Sequence, residues 1–198
     1  MPHPDTSTMV VAEVVQRVVT ANEIVPVRLN TPIPPIRFAP TSAFRQRILN
    51  PTLPFRAPPH VTQSIPNISI RDYLVRILKY CPNTPNEVFI AILVHLDRMA
   101  LRSIVGPAGY PFVPHSLNIH RLIIAAVSVC SKFYSDTYYS TARYAKVVGG
   151  ICKDELLKHE LDFTLLTDFE LAIPSYVLDR YALAIINFNC NLAVPFVN

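Results

Sequence analysis

The sequence has no tryptophan and only four glycines among its 198 residues. So few glycines rule out a glycine-rich phosphate loop: no GxxxxGK[ST] occurs, and Gly149-Gly150 lacks the further glycines and motif-spaced lysine. A left-handed helix terminus is the reading given to that pair. Four cysteines, Cys81, Cys130, Cys152 and Cys190, are far apart and form no CxxC pair. None of the six histidines sits at metal-ligand spacing with cysteine or carboxylate, so neither metal nor cofactor is expected. GxSxG and HExxH are missing as well, and Asp154-Glu155 stand where capping of a helix start explains them. No catalytic residue is assigned, and the chain reads as a binding module rather than an enzyme.

Long apolar runs are missing too. The longest, Leu122 to Cys130, falls far short of the roughly 20 residues that cross a bilayer. The first residues carry Pro, Asp and Thr where a signal peptide would be apolar. No membrane association is expected, and the reading is a soluble intracellular protein of nucleus or cytoplasm with reduced thiols. Charge is sparse: 16% of residues are charged and 51% hydrophobic, the balance of a chain with a large core.

What is abundant is proline, with 19 residues, 12 of them at or before Pro66. Residues 26–66 are therefore expected to be extended and irregular, because proline lacks an N–H and restricts its predecessor. That stretch is also basic. No acidic residue lies between Glu23 and Asp72, whereas Arg28, Arg37, Arg45, Arg47 and Arg56 do. Residues 1–67 carry 6 Lys+Arg against 3 Asp+Glu, and residues 68–198 carry 12 against 11. Arginines isolated along a Pro-rich stretch, rather than concentrated on one face, fit a solvated arm better than a nucleic-acid surface, so no nucleic-acid partner is expected.

Ahead of the arm, Val10, Val11, Val14, Val15, Val18 and Val19 recur at helical spacing, predicting an amphipathic helix from Met9 to Ile24 that docks on the main domain. After Pro66 the periodicity is helical throughout. Ser69 is positioned to cap a helix running to Tyr80. Thr84, Pro85 and Glu87 mark the start of another, to about Arg102. A third helix from near Ser116 contains the Leu122–Cys130 run, apolar all round, and must be central. A short helix over 140–148, one from Lys153 to Leu166, and a last one from Ser175 to about Asn187 complete the set. The fold class is all-α.

Three segments give that outline a family. Ser69-Ile-Arg-Asp-Tyr-Leu-Val-Arg-Ile77 and Glu87-Val-Phe-Ile-Ala-Ile-Leu-Val-His-Leu-Asp-Arg-Met99 are two of them. The third is Asn118-Ile-His-Arg-Leu-Ile-Ile-Ala-Ala-Val127, followed by Ser131-Lys-Phe-Tyr134, Tyr144–Ile151 and Glu155–Phe163. Together they resemble the cyclin box of the phosphate-pathway (P/U) type. The resemblance implies a five-helix box over 67–173, and the residue pattern leaves an N-terminal helix and Pro-rich basic arm over 1–66 and a C-terminal helix and tail over 174–198. The resemblance also implies a regulatory subunit that binds and activates a cyclin-dependent kinase and helps to select the kinase's substrates.

In cyclins a lysine after the third helix and a glutamate in the fifth pair with one another and reach the kinase. The matching positions are Lys132 and Glu160. Leu161 and Phe163, beside Glu160, are candidate partner anchors, with core packing as the other possibility. Arg71-Asp72-Tyr73-Leu74 departs from the Met-Arg-x-Ile-Leu substrate patch of cell-cycle cyclins, and the 25 residues after Ile173 are too few for a second box. Two other readings stay open: a transcription-factor-like cyclin fold that binds DNA or a basal factor, and an adaptor whose Pro-rich segment is the binding element.

Overall fold

In the computed structural model the described residues are 6–24, 66–105, 114–149 and 151–192, and among them the chain is helical with no strand. The elements in order are α1 (Thr6–Ile24), α2 (Ile70–Tyr80), α3 (Asn86–Val105), α4 (Ile119–Tyr134), α5 (Thr141–Arg143), a π-helical turn (Tyr144–Gly149), α6 (Lys153–Leu166) and α7 (Ser175–Leu192). The Pro-rich arm and the Gly106–Val113 turn lie outside the described residues.

Local chemistry fixes several boundaries. The Ser69 hydroxyl accepts from the Asp72 N–H at 3.0 Å and donates to the Asp72 carboxylate at 2.7 Å, which closes the first turn of α2. Cys152 caps α6, its Sγ accepting from the Glu155 N–H at 3.4 Å, with Asp154 and Glu155 at the positive end of the dipole. The start of α3 differs from expectation. The Thr84 hydroxyl turns back and donates to the Cys81 carbonyl at 2.9 Å, and the helix begins at Asn86.

The segment expected as one short α-helix is instead three residues of α-helix opening into the π turn. Ser140 caps it, and the Ile151 N–H reaches back to the Ala145 carbonyl at 3.1 Å. The reading of Gly149-Gly150 as a left-handed terminus falls partly outside the described residues, at Gly150.

α4 is the axis of the fold. From Leu122 to Ser131 every residue is buried, because α3, α6 and the π turn pack around it. α1 lays Val10, Val11, Ala12, Val15 and Val19 into the same core, against α2, α3 and α7. α7 runs past its expected end at Asn187 to Leu192 and is fastened to α3 by the Tyr181 hydroxyl, which donates to Asp97 Oδ2 at 2.6 Å. Burial and that bond to the carboxylate, which holds the phenol proton, raise the Tyr181 hydroxyl to about 12. No helix among the described residues is long and apolar enough to cross a membrane.

Candidate functional site: an ion-pair node between α4 and α6

The last turn of α4 carries Lys132, and the middle of α6 carries Glu160. Because α6 packs along α4, the two side chains meet. Lys132 Nζ donates to both Glu160 carboxylate oxygens, at 2.7 Å and 2.8 Å. Two hydroxyls complete the node. Ser128, one turn before Lys132, donates to Glu160 Oε1 at 2.6 Å, and Thr141 accepts from Lys132 Nζ at 2.8 Å while donating to Glu160 Oε1 at 3.3 Å. The lysine side chain keeps 31% of its surface exposed and the glutamate 12%. The node thus lies at the surface but is sheltered, so it is screened by salt less than an open pair.

Apolar side chains stand out of the surface on the same helices and just beyond them. On α6, Leu157 and Leu161 are four residues apart on the solvent side, and Leu161 is 42% exposed. Phe133, next to Lys132, is 50% exposed and stacks edge-on against Tyr134 at 5.0 Å. Phe169, just beyond α6, is 59% exposed. Solvent-facing leucines and phenylalanines on the helices that carry a fixed charge pair have the composition of a protein–protein contact, in which aromatic residues are enriched.

Phe169 is held there by backbone strain. Asp168 and Phe169 have φ of 56° and 58°, left-handed values that favour glycine, yet neither is glycine. Surrounding bonds impose the conformation. The Phe169 N–H donates to the Thr164 carbonyl at 2.9 Å, and the Tyr134 hydroxyl donates to the Leu171 carbonyl at 2.6 Å. Arg98 Nη1 donates to the carbonyls of Glu170 and Ala172 at 3.4 Å and 3.3 Å. Strain kept at an exposed aromatic marks a functional candidate.

Of the four residues singled out in the sequence, the structure brings Lys132 and Glu160 into contact and leaves Leu161 on the surface beside them. Phe163 is corrected to a core residue. It is 1% exposed and packs edge-on against His95 at 5.5 Å, because three residues beyond Glu160 is the α6 face turned to the interior. It has no surface to offer a partner directly. Ser128, Thr141, Phe133 and Phe169 escaped the sequence reading. Ser128 had a signal, since i−4 from Lys132 on a helix puts it on the same face. Among the described residues no group of His, Cys, Asp and Glu could hold a metal ion.

An all-helical box around a buried central helix, with a Lys–Glu node at the junction of its third and fifth helices, is matched by the cyclin family model over residues 7–171. The chain belongs to the cyclin family. Its relatives narrow the branch. It is 42% identical over 140 residues to PHO85 cyclin-7 of Saccharomyces cerevisiae, covering 68% of this chain and 47% of that protein. It is 44% identical over 146 residues to PHO85 cyclin-like protein psl1 of Schizosaccharomyces pombe, covering 74% and 53%. It is 41% identical over 119 residues to Cyclin-U4-1 of Arabidopsis thaliana, covering 60% and 54%. The chain thus spans about half the length of these relatives, and its likeness is to the Pho-type and plant U-type cyclins.

Proposed function

We propose that this chain is the regulatory subunit of a cyclin-dependent kinase of the Pho85 class, and that it docks through the α4–α6 face and switches the kinase on. Cyclins are regulatory partners and supply no catalytic group. In this reading residues 67–173 are the kinase-binding box, residues 1–66 an N-terminal helix and basic arm, and residues 174–198 a C-terminal helix and tail. The complex works in the nucleus or cytoplasm, where the chain also helps to choose substrates. The observation that carries the reading is the Lys132–Glu160 node, on helices that also expose Phe133, Leu157 and Leu161, with Phe169 exposed just beyond α6.

The mechanism follows from what a kinase needs. Its lysine–glutamate ion pair and metal-binding aspartate are both in place only when one mobile helix is correctly positioned. A rigid apolar surface activates only by binding the active position of that helix better than the inactive one. Turning a mostly inactive population into a mostly active one takes roughly 5 kcal/mol of differential binding. Exposed aromatic and leucine side chains are the groups that provide such energy when desolvated, whereas the charge node fixes register and orientation.

The test is titration of the chain into a purified Pho85-class kinase, following complex formation by size exclusion and phosphorylation of a peptide. A stoichiometric complex with raised activity is expected, weakened in Lys132→Ala/Glu160→Ala. Kinase that neither binds nor responds would sink the reading. Activation left intact by the double substitution would remove the node from the interface.

A further inference from the structure

A second surface lies at the C-terminal end of α2, where it meets α5 and the π turn. Four cations gather there: Arg76 and Lys79 on α2, Arg143 at the end of α5, and Lys146 three residues on, in the π turn. All four are exposed, and among the described residues none makes an ion pair. Tyr80 ties three of them together. Arg143 Nη2 donates to its carbonyl at 2.9 Å, and Arg76 and Lys79 lie 6.0 Å and 5.8 Å from its ring centroid. Arg143 also stacks over Tyr139 at 4.3 Å. Capping the end of α2 uses one guanidinium N–H of Arg143 and accounts for Lys79 as a last-turn cation. It does not account for Arg76 or Lys146, and Arg143 stays exposed although it also bonds the Cys81 side chain. The nearest carboxylate on α2, Asp72, accepts from Ser69.

We propose that this cationic patch docks an acidic peptide segment of the kinase's substrates. The inference rests on the regulatory-subunit reading and gives it a substrate class. The basic arm is excluded as the occupant, because no acidic residue lies between Glu23 and Asp72. Nucleic acid fits less well. The Tyr80 and Tyr139 rings at the patch are engaged by cations, and residues 68–198 as a whole are balanced at 12 Lys+Arg against 11 Asp+Glu. A compact patch of separate cations on rigid helices matches a short run of carboxylates, and it steers and orients more than it binds tightly.

The experiment uses the full chain. Fluorescence anisotropy compares a labelled oligo-Glu peptide, its oligo-Gln counterpart and a labelled duplex DNA, each at low and physiological salt. The oligo-Glu peptide is expected to bind in a salt-sensitive way, and Arg76→Glu/Lys79→Glu to weaken it about tenfold, from about 0.2–1 kcal/mol for each charge contact at a surface. Lys146→Glu, on a different element, gives a smaller loss, and Lys153→Glu/Arg180→Glu leaves binding unchanged. Thermal melts confirm that each variant is folded. Equal binding by the patch and control variants overturns the proposal, as does tighter binding of the DNA than of the oligo-Glu peptide.

With the kinase present, the patch variants should raise KM for an acidic-tailed substrate and leave kcat for a tail-less peptide unchanged. If the kinase never associates but patch-dependent peptide binding persists, the docking site stands and the regulatory-subunit reading falls.

Discussion

Removing either half of the Lys132–Glu160 pair should destabilise the chain, and the lysine should matter more. Lys132→Ala leaves a carboxylate with only 12% of its side-chain surface in water, held by the Ser128 and Thr141 hydroxyls alone. Glu160→Ala leaves an ammonium group that is 31% exposed and free to swing outward. The stranded Ser128 hydroxyl can bond back to the carbonyl four residues earlier in α4. A sheltered charge without its counter-ion costs more than a charge returned to water. The expected losses are about 2 kcal/mol for Lys132→Ala and about 1 kcal/mol for Glu160→Ala. The double variant should lose about 2 kcal/mol rather than the sum, a coupling of about 1 kcal/mol. Urea unfolding of the isolated chain followed by circular dichroism measures all three. Additive losses would refute the reasoning by showing the node to be as open to water as an ordinary surface pair. A larger loss from the glutamate variant would refute it by showing the lysine to be the more sheltered charge.

Phe169→Gly should move stability and partner affinity in opposite directions. Glycine relieves a left-handed strain of about 1 kcal/mol, offset in part by its freer unfolded chain, so the melting temperature holds or rises. Loss of the exposed ring should weaken kinase binding by about 2 kcal/mol, read by calorimetric titration; a parallel fall in both would show the ring to be structural. Phe163→Ala should cost about 3–5 kcal/mol in urea unfolding as a core truncation, and a well-folded variant with specifically weakened kinase binding would return Phe163 to the interface.

Acid should also weaken the fold through His120. Burial holds its imidazole below the usual range, opposed by the bond from Nε2 to the Ile68 carbonyl at 2.9 Å and reinforced by nearby Arg121. The unfolded chain therefore takes up the proton first. Stability from this group is complete above about pH 6.5 and falls as pH drops from there toward the folded-state value. The pH dependence of urea midpoints checks this, and His120→Gln should flatten the slope in that window.

Helical periodicity carried most of the architecture. The all-round apolar run of α4 fixes it as the centre, because no amphipathic placement can bury every side of a helix. The limits of α6 from Lys153 to Leu166 and the Ser69 cap of α2 follow from local capping chemistry, which acts within a few residues. Lys132 and Glu160 were legible through family resemblance, and Ser128 could have been found from helical spacing.

Contacts between distant segments were decided only by tertiary structure. Thr141 joins the node because α5 is laid across α6. Phe163 is core and Leu161 surface because of the rotation of α6 against α4, which one helix's pattern leaves undetermined. The gathering of Arg76, Lys79, Arg143 and Lys146 arises where α2 meets the π turn. Phe169 is exposed because Arg98 and Tyr134 hold the following segment in a turn that its own residues disfavour. Local sequence sets where helices begin and end through bonds a few residues long, whereas the surface they jointly present depends on packing between elements far apart in the chain.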